Sequence, residues 1–487
     1  MNGMTLSQKR SQYEVVIGIE VHVQLKTKSK IFCSCRNERS EHAEPNSTVC
    51  HICMGHPGVL PVLNGAVIEY GVKAGLATHS DIASISYFDR KHYFYPDLPK
   101  GYQITQQRQP ICVNGYVPIR LEDGSIKKIR LTRIHIEEDA GKNIHAAGSH
   151  ESFVDLNRAG TPLLEIVSLP DIRSSYEARA YLRMLRLTVQ ALDICTGNME
   201  DGAFRADTNI SIRKKGDQKL GTKCELKNIN SFKFISDAIE YEIDRQIEVL
   251  EDGGTVKQET RLWNTKTKET VVMRTKEEAA DYRFFEEPDL PPVYVSDEYK
   301  QAIAKALPEM PYDKFDRLCT DYGLTPYEAT IFIDDSALSD YFETARTYSE
   351  SKLLVNWILR DFVTLCKEQK TTYADSVMTP KRLATIVQFL EEGTITSPLA
   401  KQLFERVVQT DQDPASLIQQ MDVPKVSSVA DLESMIAEII RANPVQLADY
   451  KAGKTKLLGF FVGKVLEKTK GGANPATVTE LVKKLLG

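Results

Sequence analysis

Val15–Lys26 reads VVIGIEVHVQLK. Val15, Ile17, Ile19, Val21, Val23 and Leu25 fall on one face of an extended strand, and Gly18, Glu20, His22, Gln24 and Lys26 on the other, because successive side chains in a strand alternate faces. The first face predicts burial. The second presents a carboxylate, an imidazole and an amide in a row, with a glycine leaving space beside them. Glu20 and His22, two apart on a rigid element, suit ligation of a metal or a metal–phosphate complex. The alternative is a solvated strand face.

Downstream, IFCSC and VCHICMGHPG enclose a polar loop, giving Cys33-x-Cys35 and Cys50-x-x-Cys53. Two close pairs separated by a short loop predict a closed, structural zinc knuckle. His51 or His56 could replace one thiol, and unligated cysteines are the alternative. The loop SYFDRKHYFYPDLPKGYQITQQ is rich in aromatics and bases. Its Arg90, Lys91, Tyr93, Tyr95 and Lys100 could meet phosphate or stack on bases or a sugar, or simply pack over the core.

Further strands repeat the polar-face pattern. KIRLTRIHIEEDAGK puts Arg133, His135, Glu137 and Asp139 on one face and Ile134, Ile136 and Glu138 on the other. Three successive acids at a strand end predict solvation or a bound cation. In PLLEIVS, Glu165 interrupts an apolar strand and requires a partner. Arg205, Asp207, Asn209 and Ser211 alternate along another strand, and GTKCELKNINSF adds Lys223, Glu225, Lys227 and Asn228. Four such strands point to a sheet face that holds divalent cations and a polyphosphate. No G-x-x-x-x-G-K-[ST] occurs, so a P-loop is excluded.

Helical periodicity predicts helices over 64–77 and 174–192, the latter opened by a Ser174/Glu177 capping box. Pro288, Pro291 and Pro292 mark a boundary, after which helical spacing dominates. A second junction falls at 410–425. The domains expected are therefore 1–294, 295–411 and 412–487. The tail carries Lys451, Lys454, Lys456, Lys464, Lys468, Lys470, Lys483 and Lys484 against Asp449, Glu467 and Glu480. This excess fits phosphate-backbone contact, or else a solvated helical face.

The whole chain sets the bounds. Its 487 residues predict two to four domains, and 42% hydrophobic and 26% charged residues are ordinary for a soluble globular protein. The formal net charge of −5 requires any nucleic acid to meet local basic patches. MNGMTLSQKRSQY has no apolar secretion signal, and no apolar run is long enough to span a bilayer. Nine cysteines in such a chain argue against a disulfide framework.

IGIEVHVQLKT, CHICMGHPGVLPVLN, FDRKHYFYPDLPKGYQI, RIHIEEDAGK, DLNRAGTPLLEIVS, MEDGAFRADTNISIR, GTKCELKNINSF, DYRFFEEPDLPP and the tail YKAGKTKLLGFFVGKVLEKTKGGANP, in this order, resemble the B subunit of bacterial aspartyl/glutamyl-tRNA(Asn/Gln) amidotransferases. The resemblance covers all but about the first dozen residues. It implies an α+β fold, with an N-terminal glutamine-synthetase-like cradle followed by two all-α domains. It implies ATP- and Mg2+-dependent phosphorylation of the side-chain carboxylate of misacylated Glu-tRNA(Gln) or Asp-tRNA(Asn), then amidation with ammonia released by an A subunit. It also implies a small C subunit, completing a heterotrimer in the bacterial cytoplasm.

Carried over residue by residue, the resemblance assigns Glu20, His22, Glu138, Glu165 and Asp207 to catalysis and Mg2+. Arg205, Asn209 and Lys223 are expected at the nucleotide. Cys33, Cys35, Cys50 and Cys53 resemble the quartet of members that hold zinc. Lys451, Lys454, Lys456, Lys464, Lys468 and Lys470 are expected at tRNA. Two other functions compete: a non-catalytic tRNA-binding scaffold, and a free-standing amide ligase related to glutamine synthetase.

Overall fold

The computed structural model describes residues 5–37, 43–145, 151–275, 281–421, 429–469 and 475–486. Lys470, and 422–425 of the second expected junction, lie outside them. The chain divides into two compact units, residues 1–317 and 318–487.

In the first unit, helix α1 (Leu6–Arg10), capped by Thr5, leads into strand β1 (Tyr13–Gln24). A ten-stranded sheet is built around β1. Its other strands are β2 (Asp81–Ile82), β3 (Cys112–Val113), β4 (Tyr116–Arg120), β5 (Ile126–Glu138), β6 (Pro162–Ser168), β7 (Phe204–Lys214), β8 (Cys224–Lys227), β9 (Glu259–Asn264) and β10 (Glu269–Thr275). The spatial order is β10-β9-β8-β7-β1-β6-β5-β3-β2, with β4 also on β5. Among the described strands of this sheet, only β8 and β9 run parallel. The turn between β4 and β5 needs a left-handed residue, and Gly124 supplies it at φ +84°. Pro118 sits in β4, whose ladder runs against β5, a position that tolerates a missing N–H.

The alternation read in β1 holds from Ile17 to Val23; at the ends Val15 is half-buried while Val16 and Gln24 are buried. Ile17, Ile19, Val21 and Val23 are fully buried. They share one core with Tyr181, Leu182 and Leu185 of α3 (Ser175–Ala191) and with Ile235 and Ile239 of α4 (Phe232–Glu251). Helix α2 (Gly65–Ala77), with Asn64 as its N-cap, packs on β5. Ser174 caps α3 by accepting the Glu177 N–H, but only this half of the predicted box forms. The Glu177 carboxylate instead accepts from the Arg173 N–H and from Lys127 Nζ, both at 2.8 Å.

The first unit continues past the proline-rich stretch. Val293–Tyr294 pairs with Ile85–Ser86, and Ile303 of α5 (Asp297–Ala306) and Met310 join the sheet's core.

The second unit is helical among its described residues. Leu353–Asn356 runs through a π-helical turn, Trp357–Phe362, into Val363–Gln369. Leu354, Ile358 and Phe362 are fully buried, as are Leu383, Ile386 and Val387. The tail forms a hydrophobic cluster of its own, with Ile436, Phe461, Val465, Val478 and Val482 fully buried. No described helix is long and apolar enough to cross a membrane.

Where α2 approaches the sheet, a Cβ on Gly75 would lie 2.5 Å from Cys112 Sγ and 3.0 Å from Ile82 Cγ1. Gly→Ala inside a helix ordinarily stabilises by about 1 kcal/mol. Here the sign should reverse: Gly75→Ala should destabilise by about 1–3 kcal/mol. Adding Cys112→Ala should recover much of that loss, as read by denaturant unfolding.

Candidate active site

Cross-strand register builds the site. Residues paired across neighbouring strands share a face, so His135 of β5, Glu165 of β6, His22 of β1 and Arg205 of β7 form one transverse row. Two residues along β1, Glu20 stands opposite Asp207. Glu137, two residues beyond His135, lies on the same face.

In this row Glu165 stands between two imidazoles, and Arg205 follows His22. His22 Nε2 is 3.4 Å from Glu165 Oε2 and 3.5 Å from Glu137 Oε1. His135 Nε2 is 3.1 Å from Glu165 Oε2 and 3.5 Å from Glu137 Oε2. Glu165, whose place in an apolar strand demands a partner, has both imidazoles. Burial disfavours a charged His135, but Glu165 and Glu137 outweigh it and push its pKa up to about 9. His22 moves up against burial for the same reason. Glu165 is held well below the usual range, since the two imidazoles overcome its burial. Glu20 is pushed up by burial and by Glu165 and Asp207.

This face floors a cleft of about 620 Å³. His22, Glu137, Asp139, Arg205, Asp207 and Lys227 are among its lining residues. Asp139 is buried and accepts from Gln24 Nε2 at 2.8 Å and Arg205 Nη2 at 3.0 Å. Burial would raise its pKa, but Arg205 and Arg158 lower it. Arg205 Nε is buried with no hydrogen-bond partner. Lys227 pairs with Asp207 and, at 3.2 Å, with Glu225.

His22, Glu137 and Glu165 each place one ligand atom within 4.8 Å of the others, a donor set that could hold a metal ion. Glu138, expected in this role, is elsewhere. The pleat turns it to the opposite face from Glu137, where it pairs with Lys100 and accepts the Ile104 N–H at 2.9 Å. Asn209 donates to Glu20 Oε1 at 3.1 Å. Lys223 is exposed and outside the cleft lining, because β8 begins only at Cys224; the lining lysines are Lys91 and Lys227. Of the aromatic loop, Lys91 and Tyr93 reach the cleft. Arg90 is taken up by Glu287 and Asp289. His135, Glu137, Asp139 and Lys227 belong to the site, although the sequence reading assigns none of them a catalytic or ligand role. The shared strand face of His135 and Glu137 was their signal.

The second cluster is the cysteine quartet. Cys53 Sγ lies 3.8 Å from Cys33, 3.7 Å from Cys35 and 3.6 Å from Cys50. A tetrahedron with Zn–S bonds of about 2.3 Å has edges of roughly 3.8 Å, so the four thiols could hold zinc. Hydrogen bonding with Cys33 lowers the Cys53 pKa and favours its thiolate, with the Cys50 N–H and Lys30 acting in the same direction. His51 and His56 pack on each other, with ring centroids 4.9 Å apart, while the cluster is made by the four thiols alone.

In the tail, Lys451, Lys454 and Lys456 are exposed. Lys454 pairs with Asp449, Lys464 with Glu467 and Lys468 with Glu438.

The family model described as the GatB/GatE catalytic domain matches residues 15–301, and that described as the GatB domain matches 340–486. The B subunit of the aspartyl/glutamyl-tRNA(Asn/Gln) amidotransferase of Syntrophotalea carbinolica is 49% identical over 477 residues, covering 98% of this chain and 99% of its own. Its counterpart in Geotalea daltonii is 48% identical over 481 residues, covering 98% and 100%. The chain belongs to the family of tRNA-dependent amidotransferase B subunits. Every cleft residue described above falls within the catalytic-domain match, as does the cysteine quartet. The tail lysines fall within the second match.

Arg205 is the nearest cation to Asp139 in this amidotransferase chain. Arg205→Met should cost on the order of 1–3 kcal/mol near neutral pH, because a buried carboxylate loses a charged partner. Asp139 has a depressed folded pKa, so its stabilisation is present above the unfolded value of about 3.9 and is lost as pH falls through the lower folded value. Unfolding free energies of the two proteins should therefore converge in acid.

Proposed function

We propose that the polar sheet face carries the phosphorylation half of tRNA-dependent amidation. A side-chain carboxylate oxygen of Glu-tRNA(Gln) or Asp-tRNA(Asn) forms a bond to the γ-phosphorus of ATP, and the bond to the β-phosphate oxygen breaks to release ADP. Ammonia, freed from glutamine on an A subunit, then bonds to the acyl carbon. Phosphate leaves and a proton is lost, giving Gln-tRNA(Gln) or Asn-tRNA(Asn). The carrying observation is the convergence of His22, Glu137 and Glu165 on one donor set, two of whose members, His22 and Glu137, line the cleft. The naming of close, full-length relatives as amidotransferase B subunits gives it its substrate class.

His22, Glu137 and Glu165 would hold Mg2+, with Glu20 and Asp207 adjoining. When bound, the ion would neutralise charge on the transferring phosphoryl group. Arg205 and Lys227 line the same space and would orient the polyphosphate. Zinc in the four-thiol knuckle would be structural, as a closed site offers no open position. The working assembly is a heterotrimer of this chain with the A subunit and a small C subunit, in the bacterial cytoplasm. The tail, with its own hydrophobic cluster, is the module that grips tRNA.

His22→Ala or Glu165→Gln should lower acyl-phosphate formation by on the order of 100-fold and leave tRNA affinity unchanged, since neither residue faces a tRNA backbone in this reading. Glu138→Gln should retain ATP cleavage. Single-turnover assays with labelled ATP decide this; ordinary phosphorylation in His22→Ala would point to a non-catalytic scaffold. Removal of residues 412–487 should raise the KM for aminoacyl-tRNA. It should also flatten the salt dependence of binding, by roughly 0.9 in the log–log slope per lost phosphate contact on duplex. An unchanged slope would assign the tail lysines to a solvated face.

A further inference from the structure

The cysteine knuckle and the second acid of the Glu137–Glu138 pair meet in one place. A pocket of about 230 Å³ lies among Phe32, Cys33, Cys53, Gly55, Lys100 and Glu138. The Lys100 ammonium pairs with Glu138 and stands 5.8 Å from the Phe32 ring centroid and 5.3 Å from that of Tyr102. Phe32 directly precedes the first knuckle cysteine. On the other side, Gly55 follows the last cysteine by two residues and is left-handed at φ +65°. A Cβ there would lie 2.9 Å from Lys100 Cγ, 3.0 Å from the Lys100 nitrogen and 3.1 Å from the Pro99 carbonyl carbon. Lys100 is thus bracketed by both ends of the knuckle.

The knuckle is also tied to the strand that bears Glu138. Lys30, fully buried, donates to Thr48 O at 2.9 Å and Leu156 O at 3.4 Å. The backbone of Gly160, another pocket residue, donates to Asp139 O at 3.0 Å and accepts from Ile31 at 2.9 Å. From these contacts we infer that the four-thiol knuckle is a positioning device for Lys100. A metal bound by the thiols holds Phe32 and Gly55 against the lysine, and the lysine keeps Glu138 neutralised behind the strand whose other face presents Glu137 to the cleft. The metal-dependent half of the inference rests on the zinc reading above; the steric half does not.

The experiment uses the full chain in its complex and reads the rate at which an amine-reactive acylating reagent modifies Lys100, by peptide mass spectrometry, with exposed Lys352 as the internal control. Gly55→Ala leaves all four thiols in place. It should keep its zinc and still raise Lys100 modification several-fold. Zinc removal from the wild type by a chelator should raise it similarly, with Lys352 unchanged in both. Unchanged Lys100 reactivity in a zinc-retaining Gly55→Ala variant would overturn the inference. Purified wild-type protein without zinc would overturn the metal-dependent half and the zinc reading, while Gly55→Ala would still test the steric bracket. Thermal unfolding of each sample separates local release of Lys100 from general loss of fold, because general loss would expose every buried lysine, including Lys30.

Discussion

The constraint on which the first unit depends is the pairing of β1 with a strand on each side, in a register that aligns like with like. Ile17, Ile19, Val21 and Val23 must all face the core, and a slip of one residue would turn every one of them outward. Burial thus excludes odd-numbered slips and assigns the even positions to the polar face; the register observed sets their partners. Glu20 meets Asp207, and His22 lies between Glu165 and Arg205. The hydrophobic face therefore decides which side chains make up the polar face.

That polar face is expensive to assemble. Bringing Glu137 and Glu165 together in a half-buried cluster is unfavourable unless positive charge accompanies them. His22 and His135 supply it, and their upward-shifted pKa values express the same interaction from the other side. The two carboxylates in turn favour the charged form of each imidazole over the neutral one.

Much of this was legible in the chain. The alternation of β1, the capped helix α3 and the orphan carboxylate of Glu165 could each be read from local pattern, because each depends on a few neighbouring residues. What escaped depends on where strands start and stop. Lys223 and Lys227 look equivalent in GTKCELKNINSF, but β8 begins at Cys224 and carries only Lys227 into the cleft. The reach of the first unit to Arg317 was hidden for another reason: Ile303 and Met310 enter its core through tertiary contact alone.

Glu137 and Glu138 show how much one pleat can decide. The two are consecutive, chemically near-identical and both buried, yet they serve opposite sides of the same strand. Glu137 faces two imidazoles and accepts from Thr105 Oγ1 at 3.2 Å. Glu138 faces an ammonium and a backbone N–H beside the knuckle. Two adjacent carboxylates on one face would repel each other and compete for the same cations. Divided by the strand, each has its own counter-charge on its own side.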